Sequence, residues 1–434
     1  EILVPKFISL LIIFCFLNNC SLDTKTGFWT QSDILEEEKE NLEEIFKSKN
    51  ILDQEFNPNL KVKINSTFTQ KPFINNLSNN SGYINFDGNL KKISKFKFKK
   101  IKNFNFINPD LLIGADNSLV FFDEKGSIIK FNENSKLIWK ENHYDKKQIK
   151  QNPYLHFATN DKILVVSDSI ANLYAIDYLT GKLIWKNFNK SAFNSEIKII
   201  GDKILLIDLE NVIKCISIKN GKELWNFGTE KSFIKSQRKL SLIIDKEKVI
   251  FINTFGDISA LDLNTGSLIW QSQTINEDIY ENAFLLKSSK LVYHNETIYI
   301  SNNQNKFFAI DTRNGFIKWE QNINSYLPPS IIENLILTVS KEGYFFILDR
   351  INGNILRSTS TLGNKINPDI YPTGFIVAKN FIYISLSSGK LLKVSILDGK
   401  TKDILKIDKN KISSPYVLNK QMYVLRNNAI IKIE

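Results

Sequence analysis

The chain holds few of the side chains most versatile in acid–base, nucleophilic and metal chemistry, with three histidines and three cysteines in 434 residues. His143, His156 and His294 stand far apart, each without a second His or Cys at ligand spacing, so they are expected to be structural or surface groups and no metal site is expected. Cys215 lies in the apolar run 213–218 and reads as a buried structural thiol. No Gly-rich phosphate loop, nucleophile elbow or HExxH pattern occurs. The acidic run Glu36, Glu37, Glu38 reads as a solvated helix face. No catalytic, cofactor-binding or metal-binding residue is therefore expected.

The residues with the sharpest spacing are suited to structural chemistry. Asp177 precedes Thr180, Gly181 and Trp185; Asp262 precedes Thr265, Gly266 and Trp270; Asp311 precedes Asn314, Gly315 and Trp319. Degenerate copies keep Asn220, Gly221 and Trp225; Asn352 and Gly353 with Arg357 in place of Trp; Asp398 and Gly399; and Asn134, Ser135 and Trp139. Glycine accepts the left-handed backbone of a tight hairpin, Asn or Thr suits the residue before it, and Asp can accept bonds from the turn amides. A tryptophan four residues on can lie flat against a neighbour while its N–H finds a backbone acceptor.

These marks must be positioned by a repeated unit. Positions 135, 181, 221, 266, 315, 353 and 399 span 264 residues in six steps, a mean of 44, the length of a four-stranded propeller blade. Eight short apolar runs begin the units, at 111–113, 163–166, 204–207, 249–252, 298–300, 335–337, 382–384 and 422–425. The pattern predicts an all-β, eight-bladed propeller of four-stranded blades over 83–434. The last unit ends at Glu434 before a fourth strand, so residues 83–86 and 91–99, with Ile93, Phe96 and Phe98, are expected to supply it. Closure by both termini leaves no long sheet edge open to aggregation. The lysines from Lys91 to Lys102 read as the solubilised side of that strand.

Ahead of the repeat, residues 7–17 read FISLLIIFCFL, ten apolar of eleven, too short for a spanning helix and suited to a signal-peptide core. Lys6 reads as the remnant of a basic region before it. Residues 17–20, Leu-Asn-Asn-Cys, resemble a bacterial lipobox, with two asparagines where small residues are usual; this implies a signal peptide over 1–19 and lipid attachment at Cys20. With Ser21 rather than Asp after the cysteine, the resemblance to sorted lipoproteins implies the outer membrane. Beyond Cys20 only Cys215 remains, so the exported chain cannot form an internal disulfide. Residues 20–82 read as a largely mobile tether with one short helix over about 33–48, its glutamates in the early turns.

The Asp-x-x-Thr-Gly-x-x-x-Trp pattern resembles the tryptophan-docking motif of pyrroloquinoline quinone-type propeller repeats. Two families of exported proteins share it: quinone-dependent dehydrogenases and the BamB family, lipoproteins of the outer-membrane β-barrel assembly machinery. The chain is more similar to BamB in length, in its lipobox-like start, in residues 55–63 and in its closing stretch 413–433. The dehydrogenase resemblance lacks a vicinal cystine and the large insertions between blades that would carry a quinone site. The BamB resemblance implies a non-enzymatic scaffold with no cofactor. It would be held in the outer membrane by its lipid, face the periplasm and bind the periplasmic domains of a BamA-like barrel-inserting subunit. Alternatives are a periplasmic propeller lipoprotein with a peptide or polysaccharide partner, or a quinone-dependent dehydrogenase.

The net charge of +11 comes almost wholly from scattered lysines, with only five arginines, which argues for a basic soluble surface and against a nucleic-acid groove. A monomeric propeller works through its rim loops. The two longest connections beside consecutive motifs are the candidates for partner contact: Phe233, Ile234, Lys235 and Arg238 in one, Glu277 and Asp278 in the other.

Overall fold

The computed structural model describes residues 54–64, 83–107, 109–231, 239–274, 286–363 and 369–434. It comprises eight antiparallel four-stranded sheets. The expected signal peptide, the Cys20 attachment point and the helix over about 33–48 lie outside the described residues.

Blades one to seven each run from an inner strand to an outer one in chain order. In blade two the strands are Leu155–Thr159, Ile163–Asp168, Asn172–Asp177 and Leu183–Phe188. The first three are almost wholly buried, and the outer strand is half-exposed, because successive sheets stack face to face around the axis. Blade one starts at Leu112–Ile113, three at Lys198–Ile200, four at Leu242–Asp245, five at Val292–His294, six at Ser330–Ile332 and seven at Pro372–Ala378. The single described helix, Lys146–Ile149, is one turn closed by an Asp145 capping box between blades one and two.

The expected closure is present. Blade eight takes Tyr416–Leu418, Gln421–Arg426 and Ala429–Ile433 from the C-terminal end, and Lys92–Lys97 forms its outer strand. Lys91 and Glu434 exchange backbone bonds of 2.8 and 2.9 Å where the two ends meet. Phe96 is the buried anchor of this strand, edge-on to Phe131 of blade one at 5.5 Å and Tyr423 of its own blade at 6.0 Å. The lysines around it are exposed.

Three expectations are corrected. Residues 83–86 do not join the closing strand: Ile84 bridges Ala378 of blade seven, and Phe86 is buried edge-on to Tyr383. Ile93 does not alternate inward with Phe96 and Phe98, because a register shift between Lys92 and Ser94 leaves it exposed. The run at 111–113 is the inner strand of blade one, whereas the other seven runs are second strands; the matching strand of blade one is Leu119–Phe122. One stretch expected within the tether is also ordered against the ring: residues 54–64 lie on blade six, where Phe56 pairs with Ser358. No described helix is long and apolar enough to cross a membrane.

Candidate functional site

The recurring turn behaves as its residue types require. Asp177 Oδ1 accepts from the backbone N–H of Leu179 (3.1 Å) and Thr180 (2.7 Å) and from Thr180 Oγ1 (2.7 Å). Asp262 repeats this with Asn264, Thr265 and the Thr265 hydroxyl. These bonds, led by the Thr180 hydroxyl at Asp177 and by the Thr265 amide at Asp262, hold both carboxyls below the ordinary range. At Asp311 the guanidinium of Arg313 does the same, donating from Nε (2.9 Å) and Nη2 (2.6 Å).

Each of the five motif indoles reaches across a seam to the turn of the next blade. Trp139 donates to Tyr178 O (3.3 Å), Trp185 to Ile218 O (2.8 Å), Trp225 to Leu263 O (3.2 Å), Trp270 to Thr312 O (3.0 Å) and Trp319 to Arg350 O (3.1 Å). The ring lies flat over the glycine of that turn. A Cβ on Gly315, at φ +77, would sit 2.5 Å from Cε3 of Trp270, so the position requires glycine for both its backbone and its space. A register shift beside each tryptophan, as between Ala260 and Leu261 opposite Trp270, sets the ring across the seam. Asp177, Gly181, Trp185, Gly221, Trp225, Asp262, Gly266, Trp270, Asp311, Gly315, Trp319 and Trp139 thus form five consecutive inter-blade joints.

Register identifies the residues at the same position in the other three blades: Arg357 opposite Ile347, Asp403 opposite Lys393 and Ser94 opposite Lys432. Arg357 takes over the indole's bond, donating from Nη2 to Ile396 O at 2.6 Å. Ser94 meets only the hydroxyl of Ser135, at 3.2 Å.

A second arrangement was not expected from the sequence. Asp110, Glu196, Lys198, Lys239 and Lys290 converge from the inner sides of blades one, three, four and five, where the blades approach the axis. Lys239 pairs with Asp110; Lys290 Nζ lies 3.4 Å from Asp110 Oδ1 and 3.2 Å from Glu196 Oε1; Lys198 Nζ lies 3.8 Å from Glu196 Oε2. Ser241 Oγ donates to Glu196 at 2.8 Å. Burial alone would raise both carboxyls, but the lysines outweigh it and hold them low. Burial depresses Lys198. His156 sits beside this network, edge-on to Tyr154 at 4.9 Å, and burial followed by Lys239 holds it neutral, well below the ordinary histidine range. No signal in the sequence links these residues, since apart from the neighbours Glu196 and Lys198 they come from different connections.

His143 Nε2 lies 3.1 Å from Gly181 O, and burial lowers the pKa of His143 and His294 alike. Cys215 is fully buried, which pushes its thiol up to about 11. Among the described residues no group of three or more His, Cys, Asp or Glu side chains could hold a metal ion. The expected contact residues Phe233, Ile234, Lys235, Arg238, Glu277 and Asp278 lie outside the described residues. The flanking Lys239 belongs to the axial network.

The comparisons agree with this architecture. A curated BamB of Moranella endobia is 23% identical over 247 residues, 56% of this chain and 62% of that one. An uncharacterized Rickettsia prowazekii protein is 20% identical over 370 residues, 81% and 85% of the two chains. Among solved structures, BamB from Moraxella catarrhalis has a TM-score of 0.62 at 16% identity, covering 79% of this chain and 97% of that one. The quinohemoprotein alcohol dehydrogenase of Comamonas testosteroni also reaches 0.62, at 11% identity, covering 81% and 78%; both likenesses show the fold alone. The family described as outer membrane protein assembly factor BamB matches residues 124–359, more than half of the chain, and this protein belongs to that family.

Proposed function

We propose that the protein is a non-catalytic scaffold lipoprotein of the outer-membrane β-barrel assembly machinery. It is anchored through Cys20 at the end of a signal peptide over 1–19, faces the periplasm, and presents the 83–434 propeller to the periplasmic domains of the barrel-inserting subunit. The family match over 124–359 carries this reading. Five indole-closed seams support it, because a ring of rigid, regular blades offers fixed rims and devotes its most distinctive residues to holding shape. The contact is assigned to the loops containing Phe233, Ile234, Lys235 and Arg238, and Glu277 and Asp278. One loop offers an aromatic, an aliphatic and an arginine together, the residue types that anchor interfaces.

Affinity capture from detergent-solubilised envelopes tests the reading. The barrel-inserting subunit is expected as a prominent partner, and Arg238→Glu is expected to reduce its recovery while leaving the ring folded. A Cys20→Ser variant should move the protein out of the membrane fraction. Capture without that subunit would favour a propeller with another partner, and quinone-dependent dye reduction by the purified protein would favour an enzyme.

A further inference from the structure

The joint between blades six and seven differs from the five before it in what fills it. The Arg357 side chain is fully buried, yet the bonds from Nη1 and Nη2 go to neutral backbone carbonyls: Ile396 O (2.6 Å), Leu397 O (2.8 Å) and Leu60 O (2.9 Å). Its Nε is buried without a hydrogen-bond partner. Leu60 belongs to residues 54–64, which bridge the outer strand of blade six, Ile355–Ser360, at Phe56, turn through Asn57 to Leu60 and pass to Leu397 of blade seven. Phe56 and Ser358 exchange backbone bonds of 3.0 and 2.9 Å, Ser360 N–H donates to Glu55 Oε1 at 3.1 Å, and Val62 N–H donates to Leu397 O at 3.2 Å. The segment is held mainly by its backbone: Phe56 is 53% exposed, and only Leu60, Val62 and Ile64 are part-buried. Val62, Lys63 and Ile64 form one wall of an open cleft of about 770 Å³ that Phe381, Lys393 and Asp398 also line.

We propose that this joint is a peptide-binding site built around Arg357, that its occupant is residues 54–64 of this chain, and that it releases the occupant without unfolding the ring. Opening an indole joint exposes apolar area to water, which is unfavourable throughout. Releasing the segment costs Arg357 only its bond to Leu60 O, leaves those to Ile396 O and Leu397 O in place and lets water reach a cation whose burial is itself unfavourable, so much of the lost bonding is offset. A peptide laid against a sheet edge takes affinity from main-chain bonds, here one bridge at Phe56 and one bond from Val62, and selectivity from the side chains it turns inward. Here Leu60, Val62 and Ile64 alternate inward with exposed Lys61 and Lys63, while the planar fork of Arg357 reads a carbonyl of the segment. The ligand class is a short peptide that pairs once with the sheet edge at Phe56, turns through Asn57 to Leu60 and then alternates aliphatic and basic residues, supplied by the same chain.

Hydrogen exchange on the full chain is the first test. The Phe56 and Val62 amides are expected to exchange at least about tenfold faster than those of Leu337 and Ile347 inside blade six; equal rates would make the segment an integral part of the fold and overturn the proposal. The second test uses the full chain with Phe56→Pro and Val62→Pro, which removes both backbone bonds the segment donates to the blades, and a labelled synthetic peptide of residues 54–64. Saturable binding to the proline variant is expected. It should be at least about tenfold weaker to the unmodified chain, whose site is filled, and at least about tenfold weaker when Arg357→Ala joins the prolines. Binding indifferent to Arg357, no binding to a proline variant with an intact melting transition, or a proline variant that cannot fold would each overturn it.

Discussion

From blade one to blade six the ring is closed by five tryptophans in succession; from blade six through seven and eight back to one it is closed without any. In the first arc, one large side chain per blade joins each pair of sheets, and the neighbouring turn supplies a glycine and a carbonyl. In the second, Arg357, Asp403 and Ser94 occupy the same register and the work passes to chain segments. Residues 54–64 lie over the joint of blades six and seven, and residues 84–91 fill the joint of seven and eight. The latter includes Phe86 against Tyr383 at 5.1 Å and Lys393 Nζ bonded to Gly88 O at 3.0 Å. The closing strand joins eight to one through Phe96, and Lys432 Nζ reaches Glu133 O at 3.1 Å. A repeat can use one local wedge where the chain is continuous, but a ring made from a linear chain must be sealed by its ends, and those ends replace the wedge.

If the second arc depends on segments, a substitution in the closing strand should be the most damaging change. Phe96→Asp removes a buried aromatic shared by two blades and places a carboxylate among Phe131 and Tyr423. Loss of the side chain alone costs roughly 3–5 kcal/mol, and the unpaired charge adds to it. Little soluble monomer is expected on gel filtration, with aggregation through the exposed edge of blade eight. In the first arc the equivalent test is Trp270→Ala, which removes the bond to Thr312 O and the contact with Gly315. A loss of about 3 kcal/mol in urea unfolding is expected, with the ring still monomeric because its ends remain paired.

The two arcs were unequally legible. The first can be read directly, since glycine at positive φ, an aspartate that caps its own turn and a tryptophan at constant distance each impose a residue type. Closure by residues 92–97 was legible as a missing strand and a surplus segment, but the fate of 83–86 was not: Ile84 makes a single bridge, too little to leave a pattern. The role of Arg357 was visible only as a departure from tryptophan, because its acceptors are backbone carbonyls that any residue could supply. Asp110, Glu196, Lys198, Lys239 and Lys290 were illegible for a different reason: they meet at the axis only once the ring has closed. The inner strands were partly missed because some, such as Leu112–Ile113, are too short to show periodicity.

The axial network draws its charged groups from blades of the first arc, and the histidine buried beside it gives it a pH signature. His156 is buried beside Lys239, Lys290 and Asp110, and its pKa in the folded protein lies well below 6.5. The unfolded chain therefore binds the extra proton first. Stability is full above about pH 6.5 and falls as pH drops toward the folded value, by up to about 1.4 kcal/mol per pH unit. Melting temperatures between pH 7.5 and 5 should show this decline, and His156→Asn should make it shallower, leaving the part due to His143 and His294, whose pKa values burial also lowers. An unchanged slope would mean that groups at the joints control the acid response.

The smallest effect is expected where the side chain at the tryptophan register bonds locally on the surface, Asp403 Oδ1 accepting from Ile404 N–H at 2.7 Å. Asp403 stands opposite Lys393 as Trp270 stands opposite Ala260, yet its side chain is exposed and Lys393 turns away to Gly88 O and the Phe381 ring, 4.5 Å from its centroid. Asp403→Ala should therefore change unfolding free energy by no more than about 0.5 kcal/mol, as for a surface site without buried partners. The contrast with Trp270→Ala at the same position in the repeat is then a factor of about six in energy. If Asp403→Ala instead cost as much as a lost indole, the joint of blades seven and eight would be wedged by its own outer strand after all. The division of the ring into a wedged arc and a segment-sealed arc would then fail at that joint.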